Sequence, residues 1–217
     1  MTTAQLITSD DPRGQQAVAV FRAAYNKVGL DPERAQFLNG NGAFATALRK
    51  VIEEHSMPVA APKGGRIHAV RVPVDPTREW LEAVNAAGPD TPASCSVRKV
   101  GHLYPPQAGT VTDREIILVN FGKPIPSGQY ALDWAKPFGL RPENPRGVFA
   151  IGEHMPQLNI QLGMPYMAVV SLDVCSFEGG RRVPVAWWRD SRRGAYLYWF
   201  GSDWDGNDWF AFVRECP

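Results

Sequence analysis

The chain has 217 residues, 44% hydrophobic and 21% charged, with a formal net charge of +1. This balance is ordinary for a globular protein able to bury a sizeable core, and gives no global reason to expect nucleic acid or an acidic ligand. Cys95, Cys175 and Cys216 are widely spaced without a C-x-x-C motif, which argues for free thiols rather than a disulfide framework. Met1 to Gly14 has no apolar core of a secretory signal, and no apolar run approaches the roughly 20 residues of a membrane span. A cytoplasmic protein with no membrane segment, metal or cofactor is the expectation.

Twenty glycines and 19 prolines predict many turns and few long helices. Residues 15–28 repeat apolar positions at helical spacing (Val18, Phe21, Ala24, Tyr25, Val28) and end at Gly29. Asp31-Pro32 starts a second helix to about Leu38, and Ala43–His55 makes a third. Three short helices with a tight turn invite comparison with a helix-turn-helix. The third, however, offers only Arg49 and Lys50 before Glu53 and Glu54, which suits a small helical bundle better. Gly40–Ala45 fits a loose G-x-G-x-x-A, but a helix precedes it where a dinucleotide site needs a strand.

Residues 58–65 are rich in Pro and Gly and read as a linker between an N-terminal helical segment, 1–57, and an α+β domain, 66–217. Arg66–Val74 reads as a strand. Asp75-Pro76-Thr77 caps a helix to about Ala87, and residues 88–106 read as loop. Glu115–Phe121 is a buried strand, because Ile116 to Val119 leave neither face polar. Ser127 caps a helix through Ala135, Asn144-Pro145 starts another to about Gly152, and residues 153–165 read as irregular.

The C-terminal residues 166–215 read as an antiparallel, aromatic-rich β-meander of four strands: Tyr166–Val174, Arg182–Arg189, Ala195–Gly201 and Asp208–Arg214. Alternation puts Val183, Val185 and Trp187 on one face and Pro184, Ala186 and Trp188 on the other. Pro184 cannot donate to a ladder, which predicts an edge strand or a bulge. The third strand is apolar or aromatic on both faces. Either the N-terminal part of the chain covers the second face or that face is a binding platform.

From about residue 67 onward the sequence resembles a group of uncharacterised short bacterial proteins known mainly from candidate-phylum genomes. The matching stretches are Thr77–Gly88, Glu115–Gly122, Tyr130–Pro145 and Asp203–Arg214. The group's ending reads D-x-W-x-x-x-W-W-F-A-G-V-R, from which this chain departs where Asp208 and Phe212 stand. The resemblance supports the order of elements and implies no activity.

Two function classes follow from the residues. The hairpin between Arg181 and Arg193 carries Arg181, Arg182, Arg189, Arg192 and Arg193 against the single acid Asp190. With Trp188, Tyr196, Tyr198 and Trp204 these arginines suggest a non-enzymatic binding surface. The aromatic rings would stack on bases while the guanidinium groups hold phosphates, as in single-stranded nucleic acid; a protein partner is the other occupant. Aromatic rings beside Asp and Asn suit a carbohydrate as well. Against any such surface stands the tendency of aromatic residues to be core.

The competing class is a small hydrolase or transferase with a cleft built from Cys95, His102, Glu153 and His154. The four histidines are scattered, with none at zinc-ligand spacing. Asp203–Asp208 has the look of a calcium loop, but its sixth position is Asp208 and its twelfth Arg214 rather than Gly and Glu, so a polar turn is the simpler reading.

Overall fold

The computed structural model describes residues 59–214, Asp90 excepted, all of which belong to one structural unit, residues 54–217. The three expected N-terminal helices, the Gly40–Ala45 motif, His55 and Cys216 lie outside the described residues. The described part is a mixed α and β unit built on an eight-stranded mixed sheet.

Strand β1 (Arg66–Val74) pairs antiparallel with β2 (Thr112–Asn120) over its whole length. Between them in the chain come α1 (Trp80–Ala86), α2 (Cys95–Lys99) and a 3-10 turn at Gly101–Leu103. Helix α3 (Gly128–Ala135), the short β3 (Leu140–Pro142), α4 (Pro145–His154) and α5 (Leu158–Gln161) follow. The chain then enters β4 (Tyr166–Ser171), β5 (Cys175–Phe177), β6 (Gly180–Arg189), β7 (Arg192–Trp199) and β8 (Asp208–Arg214).

The expected helices at Ser127 and Asn144 are present. Asn144 caps α4 by accepting from the Gly147 N–H at 3.0 Å, with Pro145 in the first turn. Asp75 instead closes a local turn onto Thr77, its Oδ1 accepting from Thr77 N and Oγ1, and α1 begins only at Trp80. The stretches expected as loop, 88–106 and 153–165, contain α2, the 3-10 turn and α5. These are five, three and four residues long, too short for a helical periodicity to register.

The C-terminal strands depart from a simple meander. β6 is antiparallel to both β4 and β7, but β8 does not pair with β7. It crosses to the middle of the sheet, where Trp209–Phe212 run antiparallel to β2 and Asp208–Ala211 run parallel to β4. The reason is in its residues. Trp209, Ala211 and Val213 are buried on one face and Phe210 and Phe212 on the other, and a strand apolar on both faces is stable only between two covering layers.

Those layers are both present. On one face α1, α2 and α4 bury Trp80, Val84, Val97, Phe149 and Ile151 against Val70, Val72, Leu118, Val169 and Trp209. On the other, Ala131 and Ala135 of α3 join Phe200 and Trp204 of the loop after β7 over Val119, Val170, Val185 and Phe210. The second face of the C-terminal strands is therefore covered by residues of the same unit. Pro184 lies inside the sheet rather than at its edge. It pairs with Leu197 on β7, and on its other side the neighbouring line of strand is interrupted between Ser171 and Cys175, so no ladder requires its missing N–H.

Trp188 is 0% exposed and donates from Nε1 to the Met155 carbonyl, whereas Trp199 is 44% exposed. Trp188→Ala should cost about 3–5 kcal/mol of unfolding free energy and Trp199→Ala about 1 kcal/mol or less, measured by urea denaturation. Equal losses would contradict the assignment of Trp188 to the core.

Candidate functional site

The residues expected to bind a ligand on the C-terminal hairpin divide into core and surface. Trp188 and Trp204, expected on the binding surface, are core instead: both are essentially inaccessible, Trp204 packing on Phe210 and Tyr198, and neither presents a ring to a ligand. Arg181 stacks over Phe200 at 4.2 Å and Arg182 over Trp199 at 3.1 Å from the ring centroids. Arg193 donates from Nη1 to the Gly152 carbonyl at the end of α4. Arg189 and Arg192 are exposed beside the β6–β7 turn. Tyr196 is half-buried and Tyr198 more open, the two rings meeting edge to face at 5.8 Å. Tyr198 and Trp199 are adjacent in β7 and so project from opposite faces of the sheet. No single stacking platform unites the predicted aromatic residues.

The competing cleft of Cys95, His102, Glu153 and His154 is not assembled as one site either. Cys95 is exposed at the start of α2, and His102 donates from Nδ1 to the Lys99 carbonyl at 3.1 Å. Glu153 pairs with both terminal guanidinium nitrogens of Arg78 and has His154 at 3.6 Å. That pairing, above all its hydrogen bonds, holds the Glu153 carboxyl below its ordinary range. Glu153 and His154 line a cavity of about 240 Å³ whose walls include neither Cys95 nor His102. Among the described residues no cluster of three or more His, Cys, Asp or Glu side chains could hold a metal ion.

The structure draws attention to a different place, where the line of strand breaks between β4 and β5. Two adjoining clefts of about 420 and 410 Å³ open there and share Gln107, Asn144, Asp173 and Val174 in their walls. The first is completed by Tyr104, Arg146 and Cys175, the second by Arg114, Arg141 and Glu143. Four elements position these groups: β2 supplies Arg114, the β3–α4 junction Glu143 to Arg146, the break itself Asp173, and the 3-10 turn leads into Tyr104.

Glu143 is the centre of the arrangement and is fully buried. Its backbone N–H donates to Ala211 of β8, its carbonyl accepts from Ser171 Oγ of β4 at 2.7 Å, and its Oε1 accepts from Arg114 Nη1 of β2 at 2.9 Å. Gly147 of α4 packs directly on this carboxylate, where any Cβ would overlap it. The other oxygen, Oε2, has no hydrogen-bond partner. Among the described residues Glu143 is the one wall residue of either cleft that carries a buried, unpartnered side-chain atom.

Electrostatics mark the same groups. Burial pushes the Glu143 carboxyl above its ordinary range, against the opposing pull of Arg114. Asp173 is exposed as a residue, yet its desolvation in the cleft also raises its carboxyl. Tyr104 donates to the Asp173 carbonyl at 2.7 Å, and burial pushes both its phenol and the Cys175 thiol upward, leaving that thiol unreactive. The walls of the clefts thus bring together two carboxyl groups raised above their ordinary range, several guanidinium groups and the Asn144 amide, a set suited to holding a small polar molecule. Sequence reasoning missed this site. Asn144-Pro145 is legible as a helix start, but nothing in the chain marks Glu143 as buried or Asp173 as beside it.

No protein-family model, curated protein or solved structure matches the chain, so the site rests on its own geometry.

A second ionisable cluster lies in the loop before β8. Asp208 Oδ2 accepts from the Asp205 N–H and Asp205 Oδ1 from the Asn207 N–H, so these oxygens close a polar turn. Burial, then the Asp205 charge, pushes Asp208 up to about 7 from its ordinary 3.8. A carboxyl raised on folding binds its proton more tightly in the folded state, so it stabilises most at low pH. Its contribution falls, by about 1.4 kcal/mol per unit, as pH rises from 3.8 through about 7. Asp208→Asn should flatten that part of the stability–pH profile measured by urea unfolding. A profile as steep as that of the unaltered chain would contradict it.

Proposed function

We propose that this chain is a binding protein whose ligand-binding site is the pair of clefts at the β4–β5 break and whose ligand is a small polar molecule. The observation that carries the reading is the buried Glu143 Oε2. A buried carboxylate oxygen without a donor costs about 1–3 kcal/mol or more, and natural structures leave few such atoms unexplained. An N–H or O–H of a ligand entering the cleft supplies the missing donor, and Asp173 offers a second acceptor at the shared wall. Arg114 and Gly147 hold the Glu143 carboxylate in place before the ligand arrives, so little ordering cost is left to binding. A panel of polyols, amides and amino acids screened by thermal shift tests this. Compounds that raise the melting temperature of the unaltered chain should lose the effect in Glu143→Gln, which keeps the shape but replaces an acceptor by a donor. Compounds that shift both proteins equally, or a panel with no effect on the unaltered chain, would overturn the proposal.

A second reading, an interaction surface for a single-stranded nucleic acid or a protein, is favoured by one observation: Arg181, Arg189 and Arg192 are exposed on the same hairpin as the open Trp199. Binding of a labelled single strand there would fall steeply with salt, and Arg189→Ala with Arg192→Ala would flatten the slope by up to about two units. Fluorescence anisotropy at several salt concentrations measures it. No binding at low salt would remove the nucleic-acid form of this reading.

A further inference from the structure

We infer that Arg146 receives an oxyanion, so that the ligand of the cleft is a small carboxylate or phosphate compound that also carries hydroxyl or amine donors. The inference rests on the cleft being a ligand site and adds the class of ligand.

Arg146 is only 7% exposed, although guanidinium groups are rarely buried without a counter-charge. Its Nε donates to the Arg78 carbonyl and its Nη2 to the Tyr104 carbonyl, each at 2.9 Å. Those two bonds fix the plane of the fork and leave Nη1 without a hydrogen-bond partner among the described residues. Arg146 lines both the 420 Å³ cleft and the neighbouring cavity of about 240 Å³, so the group is held from behind and open in front.

The surrounding arginines sharpen the contrast. Arg78 is paired with Glu153 and Arg114 with Glu143. Arg146 has no carboxylate within ion-pair distance among the described residues. The acids that act on it from further away are Glu79 and Asp75, and Asp75 Oδ1 is already engaged by Thr77. Desolvation accordingly pulls the Arg146 guanidinium below its ordinary range. A planar fork whose charge lacks a partner, facing a cavity of small-molecule size, matches the geometry of carboxylate and phosphate recognition. Asn144 and Asp173, shared by the two larger clefts, join the cationic wall at Arg146 to the acidic wall at Glu143. One molecule with an anion at one end and donors at the other satisfies both.

NMR titration of the ¹⁵N-labelled full chain with inorganic phosphate and with acetate, and with glycerol as the neutral probe, tests the inference. An anion should shift the Arg146 Nε–H and the backbone amides of residues 146–148. Arg146→Met should weaken its binding by roughly tenfold or more, and Arg146→Lys by less. The tighter of phosphate and acetate assigns the oxyanion. Should Arg146→Met fail to fold, the Nε–H signal of the unaltered chain decides: no movement with either anion overturns the inference. Glycerol or another neutral compound bound at Glu143 without any response to anions would leave the cleft reading standing and the anionic class refuted. Equal anion binding by the unaltered chain and Arg146→Met would also refute it.

Discussion

One buried residue, Glu143, ties together the parts of this unit that meet at the site. Its backbone joins β8 and β4, its carboxylate joins β2 through Arg114, and its side chain fills the space that Gly147 leaves on α4. A carboxylate taken out of water costs several kcal/mol unless its charge and lone pairs are met, and here one oxygen is met and the other is not. The fold supplies the rigidity: β8, buried on both faces at the centre of the sheet, holds Ala211 opposite Ser171, and the ends of β3 and β4 are fixed against it. The break after Ser171 opens the clefts, whose walls include Asp173 and Val174 of the interrupted segment.

Charge is distributed so that most of the described arginines serve the structure. Arg181 and Arg182 lie on aromatic rings, Arg193 closes the end of α4, and Arg78 and Arg114 neutralise carboxylates. The five-arginine hairpin is thus a weaker indication of a polyanion partner than its sequence suggests. Arg146 differs from them in having burial without an ion pair, and that difference, rather than the number of cations, distinguishes a binding group from a packing one.

Much of the architecture was legible in the chain. The alternation in Arg66–Val74, the continuous apolar run at Ile116–Val119, the Asn144-Pro145 start of α4 and the aromatic strand Asp208–Arg214 all correspond to observed elements. The position of β8 was not, because a strand apolar on both faces says that it is covered and not which neighbours it pairs with. Local pattern likewise cannot separate Trp188, which is core, from Trp199, which is open; only the covering layers do that. The candidate site was illegible for a related reason. Glu143 and Ser171 are 28 residues apart and Glu143 and Ala211 still further, so their meeting is a product of topology.

The most direct test of this account is the ionisation of Glu143 itself, followed through its side-chain carboxyl by ¹³C NMR as pH is varied. Burial with a single guanidinium partner predicts a midpoint displaced upward from the ordinary glutamate value of 4.5. A midpoint at or below 4.5 would mean that the carboxylate is solvated or fully satisfied by the protein, and would contradict its role as the open acceptor of a ligand site.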